Sequence, residues 1–426
     1  MNAARHAYNA LYPLAIAGAR ASSLFLPKMR EAMAGRSGYA GRWQDLGRAL
    51  TARPVWFHVA SVGEFEQARP VITALRASSP GTPILVTFSS PSGWHFARKR
   101  EKTEGGTIDF IDYLPFDHAR TMRRCLAQAN PRLLVFVKFD LWPNLIWEAR
   151  DRGIPVSLID ATLSPSSSRL SAAGRWFYRS LYHALHPILA ISDEDAARFA
   201  RCAPGHTGIS VTGDTRFDRV MERWNMRRRD VLPLPGDGAL TLIAGSTWPS
   251  DEARLLPALS RLANEIPSLR MVLVPHEPLG EHVAALRRWA DSNSFSVRLS
   301  SEGISPEAPR VLVIDTVGVL AEAYAHADVA YVGGAFSTGV HSVIEPAIAG
   351  VPVVFGPRHD NSFEAVQLIA RAGARCVRDE AQTYAALRHY LTDTAARERA
   401  GRSARAYVES QLGATQKCMA ALSSYL

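Results

Sequence analysis

From Val55 onward, short β-branched or apolar runs alternate with stretches of helical periodicity, the pattern of βαβ units around a parallel sheet. In the first half the runs are Val55–Ala60, Ile84–Ser89, Phe110–Leu114, Leu133–Phe139, Val156–Ala161, Ile188–Ser192 and Ile209–Gly213, enough for one complete sheet. A basic polar segment, Glu222–Asp230, leads into Leu232-Pro233-Leu234-Pro235-Gly236, where prolines and a glycine interrupt helix and strand alike. The alternation then restarts with Leu240–Ala244, Met271–Val274, Val311–Ile314, Val329–Gly333, Val353–Phe355 and Arg375–Val377, and from about Gln382 onward the chain reads as helices. The expected fold class is α/β: two doubly wound, Rossmann-like domains joined at 232–236. Ligands of such sheets bind outside the carboxyl ends of the strands, so both sheets are expected to face one interdomain cleft. The expected organisation is an N-terminal segment (1–36), a first Rossmann-like domain (37–230), a second (231–400), and a C-terminal helix (401–426) that packs back on the first.

Residues 8–27, YNALYPLAIAGARASSLFLP, are apolar but broken by Pro13 and Arg20, and Lys28, Arg30 and Arg36 follow. A membrane span needs about 20 uninterrupted apolar residues, and no small-residue cleavage site marks a secretory signal. An interfacial helix flanked by cations fits the pattern; a first amphipathic helix packed on the domain fits it equally.

A chain of 426 residues with 47% hydrophobic and 21% charged residues is an ordinary globular composition, long enough for two cores. Cys125, Cys202, Cys376 and Cys418 lie far apart with no CxxC pair; they form neither a disulfide framework nor a zinc set and suit a reducing, cytoplasmic compartment. Charge divides unevenly: residues 1–230 hold 32 Lys and Arg against 20 Asp and Glu, whereas 231–426 hold 17 against 20. The basic half calls for an anionic partner, either nucleic acid or an anionic membrane surface. No nucleic-acid-binding motif is present, which favours the membrane.

The candidate chemistry sits at strand ends. Ala60-Ser61-Val62-Gly63-Glu64 follows the first strand and opens a helix. Gly63 permits close ligand approach, and Glu64 is either a general base or a carboxylate balancing the helix dipole. Lys138 and Asp140 emerge from an apolar run before Trp142-Pro143; Asp140 reads as a ligand contact or an N-cap, with Pro143 at the first helical position. Arg216, in Thr215-Arg216-Phe217-Asp218, can clamp an oxyanion or pair with Asp214 or Asp218. In the second half, Ser246 after the first strand, Pro275-His276 after the next, Val317-Gly318-Val319, and Gly334 form successive strand-end loops. His341-Ser342-Val343-Ile344-Glu345 enters a helix. Glu345 there can accept the two hydroxyls of a ribose, with Ser342 near a phosphate-facing helix start, or the two can form a plain capping box. There is no GxxxxGK[ST], HExxH or GxSxG sequence, so ATPase, zinc-protease and serine-hydrolase readings lack support.

In order, HVASVGE (58–64), YLPFD (113–117), LWPNL (141–145), TRFD (215–218), AGST (244–247), VGG (332–334), HSVIEPA (341–347) and FGP (355–357) resemble the 3-deoxy-D-manno-octulosonic acid (Kdo) transferases, GT-B glycosyltransferases of lipopolysaccharide synthesis. The resemblance implies inverting, metal-independent transfer of Kdo from CMP-Kdo to a lipid A precursor at the cytoplasmic face of the inner membrane. No cofactor is needed, since CMP-Kdo is a substrate. It implies Glu64 as proton acceptor, Arg216 where the family usually has a transition-state lysine, and Pro275, His276, Val317 to Val319 and Ser342 to Glu345 as CMP-binding segments, with Lys138 assisting at the leaving group or the sugar carboxylate. This sequence departs from the family's usual residues at Lys138 (Glu), His276 (Arg), Val319 (Glu) and Ser342 (Asn). The alternatives are another GT-B sugar-nucleotide enzyme, a different transferase or an epimerase, and a non-catalytic, membrane-associated GT-B-like binding protein.

Overall fold

In the computed structural model, the described residues are 3–227, 232, 239–303 and 308–426. Apart from Leu232, the connection expected at 232–236 lies outside them. The chain divides into two compact units, the first formed by the residues up to Arg219 together with Leu412–Leu426, the second by Val220–Gln411.

The first unit is built on a sheet of seven strands: β1 (Val55–Val59), β2 (Ile84–Phe88), β3 (Phe110–Tyr113), β4 (Leu133–Val137), β5 (Val156–Ala161), β6 (Ile188–Ala190) and β7 (Ile209–Val211). All pairings are parallel, in the order β3-β2-β1-β4-β5-β6-β7. β1, β2 and β4 are buried along their whole length because helices cover both faces, which is why these strands read as continuous apolar runs. Trp43, Trp56, Phe136 and Trp147 pack on one face, and Phe57, Phe65, Val86 and Phe88 on the other. Each such side chain contributes about 1.5–3 kcal/mol on burial. The sequence order reverses between β1 and β4, so the loops after these two strands flank the topological switch point, where doubly wound sheets bind ligands.

The last helix, Ala414–Leu422, belongs to this unit. Its Cys418 and Leu422 join the Phe57 face of the core, and Asp218 accepts hydrogen bonds from the backbone N–H of Gly413 (2.7 Å) and Thr415 (2.6 Å). The helix Ala3–Ser23 is docked by its first half. Arg5 pairs with Glu148 (2.5 Å) and Asp151 (2.6 Å), and Tyr8 donates to buried Asp117 (2.9 Å). Leu11 and Leu14 on the helix, and Leu24, Phe25 and Leu26 just after it, are exposed, while Ile16 is buried. Among the described residues no helix is long and apolar enough to cross a membrane.

The second unit repeats the plan with β8 (Thr241–Thr247), β9 (Arg270–Pro275), β10 (Val297–Leu299), β11 (Val311–Val313), β12 (Val329–Val332), β13 (Val353–Phe355) and β14 (Ala374–Cys376), all parallel, in the order β10-β11-β9-β8-β12-β13-β14. Its reversal lies between β8 and β12. β10 has no counterpart among the apolar runs: it is a three-residue, half-exposed edge strand containing Arg298. The helix Thr215–Asn225 also takes in Glu222–Asn225, which the polar composition assigns to the connection.

Candidate functional site

In the first unit the chemistry gathers at the switch point. Ser61 caps the helix Val62–Ser78, its hydroxyl accepting the Glu64 N–H (3.4 Å), and Gly63 occupies the first turn. The Glu64 carboxylate folds back to accept the Ala60 N–H at 2.5 Å and is only 4% exposed. Burial pushes this carboxyl up to about 7; the Ala60 hydrogen bond and the nearby Lys138 ammonium oppose the rise, and the Asp140 charge adds to it. A carboxyl titrating near neutrality is matched to taking a proton from a substrate hydroxyl.

Lys138 is not part of β4. It follows the strand end in the left-handed region, φ 65°, which turns its side chain out of the sheet's alternation, and its ammonium lies 5.3 Å from the Phe139 ring centroid. Asp140 does not cap the next helix as one of its readings expects: the helix Pro143–Asp151 has Trp142 at its N-cap with no side-chain cap, and Pro143 begins it. The carboxylate instead accepts from Trp142 Nε1 (3.0 Å) and Ser89 Oγ (3.1 Å) and faces His58 Nε2 (3.3 Å). Burial alone would raise it; these hydrogen bonds outweigh burial and hold it below the usual carboxylate range. Glu64, Lys138 and Asp140 are thus within electrostatic reach of one another. His58, fully buried with Nδ1 3.0 Å from Thr87 Oγ1, supports the group. Sequence reading misses His58 and Ser89 because their partner, Asp140, comes from a different strand end.

Arg216 is engaged within its own loop. Its Nε and Nη2 donate to Asp214 Oδ2 at 2.8 and 2.6 Å, and its N–H donates to Asp214 Oδ1 at 2.8 Å, one of the two pairings its sequence position allows. Buried Asp160 fastens the turn: Thr215 Oγ1 lies 2.7 Å from Asp160 Oδ2 and 2.6 Å from the Gln67 carbonyl. One hydroxyl hydrogen cannot serve two acceptors. Burial and the adjacent Asp214 push the Asp160 carboxyl up, and a protonated Asp160 supplies the missing donor.

In the second unit, four of the sequence candidates line one cavity of about 210 Å³: Ser246, Gly318, Ser342 and Glu345, with Arg223, Leu320, Ala321 and Tyr324 completing the wall. Ser246 sits at a register shift in β8 with φ 55°, and Gly318 has φ 99°, conformations that turn backbone toward a ligand. Gly245 has to be glycine, since a Cβ there would meet the Tyr324 hydroxyl at 2.1 Å. Ser342 donates to Glu345, but it is not the cap of the following helix: Ile344–Ile348 has Val343 at its N-cap and spans five residues, too short for a substantial dipole. Val343 and Ile344 are buried in the core, so their side chains face away from solvent. Val317 is exposed and Val319 precedes the short helix Leu320–Ala323.

Beside this cavity's loops stands a stack of three rings. His276, just after Pro275 at the end of β9, lies over Trp248 (centroids 4.7 Å) and over His341 (4.3 Å). Trp248 Nε1 donates to His341 Nε2 at 3.0 Å, which keeps that nitrogen unprotonated. Burial, and then His276, push the imidazole down to about 4. Gly334, φ 90°, leaves room for the ring, since a Cβ would meet His341 Cδ2 at 2.7 Å.

A family profile described as 3-Deoxy-D-manno-octulosonic-acid transferase (kdotransferase) matches residues 31–219. The 3-deoxy-D-manno-octulosonic acid transferase of Bordetella pertussis is 31% identical over 399 residues, covering 91% of this chain and 90% of that one. This chain belongs to the 3-deoxy-D-manno-octulosonic acid transferase family. Another relative of that name, from Chlamydophila psittaci, is 29% identical over 335 residues, 78% of this chain and 75% of its own. Among solved structures, the UDP-GlcNAc 2-epimerase of Neisseria meningitidis bound to UDP-GlcNAc has a TM-score of 0.64 at 13% identity, covering 87% of this chain and all of that one (100%). At that identity the likeness speaks for the fold alone. The chain is therefore a glycosyltransferase of the Kdo-transferase family with a GT-B fold.

Proposed function

We propose that this enzyme transfers Kdo from CMP-Kdo to a glucosamine hydroxyl of a lipid A precursor, with inversion and without a metal ion. The observation that carries the reading is the buried Glu64 carboxylate at the switch point of the first sheet, poised near pH 7 beside Lys138. In this reading Glu64 takes the proton of the acceptor hydroxyl as its oxygen bonds to the anomeric carbon of Kdo. The bond from that carbon to the CMP phosphate breaks, and the electron pair leaves with CMP. Lys138 and Arg216 are the cations offered to the developing phosphate charge and the sugar carboxylate. Asp140 and Ser61 shape the loop, and Gly63 lets the acceptor approach.

The second unit holds the donor: Ser246, Gly318, Ser342 and Glu345 line its cavity, and Pro275, His276, Val317, Val319, Gly334 and His341, with the backbone of Val343 and Ile344, border it. The acceptor is phosphorylated and membrane-borne, which accounts for the basic first half. Leu24 and Phe25, exposed beside Lys28, rest on the anionic cytoplasmic surface of the inner membrane as a peripheral contact; nucleic acid is not a partner.

The test is incubation of the purified full chain with a tetra-acylated lipid A precursor and, separately, CMP-Kdo generated in situ or UDP-N-acetylglucosamine, with products read by mass spectrometry. Kdo mass increments from CMP-Kdo alone support the reading. Transfer from the UDP-sugar, or no increment from either donor, contradicts it.

A further inference from the structure

The residue that the donor reading does not use is Arg223. It sits in the last turn of the helix Thr215–Asn225, and it lines both the 210 Å³ cavity of Ser246 and Ser342 and a small second cavity walled by Trp224, Arg227, Ala321, Glu322, Glu345 and Ile348. The residue is half-buried. Among the described residues its guanidinium has neither an ion pair nor a hydrogen bond, although Glu345 lines both cavities with it. A guanidinium carries five N–H donors and stays charged. Taking it partly out of water with none of them paired is unfavourable unless a ligand pairs them.

The charge balance of the cavity says which ligand. Ser246, Gly318, Ser342 and Tyr324 are neutral in it, and Glu345 is an acid whose carboxylate already accepts from Ser342. Without Arg223 the described wall would be net negative and would repel a nucleotide. With it, the described wall is neutral overall and carries one cation, in the last turn of a helix, whose planar fork can pair two oxygens of one oxyanion.

Taking the second unit as the donor site, as proposed above, the geometry points to Arg223 as the residue that binds an oxyanion of the donor, through two parallel N–H···O bonds. Two groups of a CMP-sugar acid present that chemistry, the nucleotide phosphate and the sugar carboxylate.

The experiment measures equilibrium binding of cytidine, CMP and CMP-Kdo generated in situ to the full chain, for wild type, Arg223→Gln and Arg223→Lys. Charge-assisted hydrogen bonds of this kind predict an affinity loss of about 10- to 100-fold in Arg223→Gln with cytidine unchanged, and partial recovery in Arg223→Lys. If CMP binding falls, the phosphate is the partner. If CMP is unaffected and only CMP-Kdo weakens, it is the carboxylate. Wild-type affinities for all three ligands in Arg223→Gln overturn the assignment. Equal losses in both variants, cytidine included and with a lowered melting temperature, assign Arg223 to structure and overturn it as well. A wild type that binds neither CMP nor CMP-Kdo overturns the donor reading itself, which separates the two failures.

Discussion

Replacing Glu64 with Gln should stabilise the protein, and only above the pH at which the carboxyl ionises in the unfolded chain. The side chain is 4% exposed, and its carboxyl is pushed from the ordinary 4.5 up to about 7 by burial. A native pKa above the unfolded one means that the folded state holds the proton more tightly. Below pH 4.5 both states are protonated and ionisation carries no penalty. Through the window from 4.5 to 7 the penalty grows, and above pH 7 it is constant. At about 1.4 kcal/mol per pH unit, it reaches about 3 kcal/mol at pH 8. Gln keeps an acceptor for the Ala60 N–H and never ionises, so it avoids the whole term. Urea denaturation of both full-length proteins at pH 5, 6, 7 and 8 measures the difference. The advantage of Glu64→Gln should be below about 1 kcal/mol at pH 5, rise to about 2 kcal/mol at pH 6 and level off near about 3 kcal/mol from pH 7 upward. A difference that is flat across the series, or that shrinks with pH, would refute a buried, proton-holding Glu64.

Three further outcomes follow from the same geometry. Lys138→Met removes the cation that opposes the rise in the Glu64 carboxyl, so the acid limb of the pH–rate profile should move up by roughly half a unit; an unmoved limb would show that the ammonium does not act on Glu64. Gly245→Ala drives a methyl into the Tyr324 hydroxyl and Leu320, and should destabilise the second unit by about 1–3 kcal/mol while weakening CMP binding, both measurable by thermal shift with and without CMP. The double variant Leu24→Ser, Phe25→Ser removes two exposed apolar side chains, 69% and 81% accessible, and should lower partition onto anionic lipid vesicles at least about tenfold. Unchanged partition would assign this helix to packing on the domain alone.

Much of the architecture is visible in the chain because parallel strands buried on both faces must be apolar throughout: Val55–Val59, Ile84–Phe88 and Leu133–Val137 announce themselves without alternation. What escapes is whatever depends on pairing across the sheet. β10 is short, carries Arg298 and is half-exposed, so neither periodicity nor hydrophobicity marks it. Helix starts are misjudged where a capping residue is recruited elsewhere. Asp140, well placed by sequence to cap Pro143–Asp151, serves His58, Ser89 and Trp142 instead; Ser342 gives the N-cap to Val343. Strand-end position was enough to single out Glu64 and Lys138, and four of the residues in the 210 Å³ cavity. Arg223 was hidden in a run of charges that reads as a solvated connection, and only the helix Thr215–Asn225 carries it to the cavity wall.

The central claim is that Glu64 is the base of a Kdo transfer. The most direct measurement is the rate of Kdo transfer from CMP-Kdo to a tetra-acylated lipid A precursor by wild type and Glu64→Gln, from pH 6 to 8.5, with folding of the variant checked by its melting temperature. The account predicts a wild-type rate that rises through an apparent pKa near 7 and a loss of about 100- to 10,000-fold in the variant. A well-folded Glu64→Gln protein that turns over within a few-fold of wild type, with the same pH profile, would contradict it.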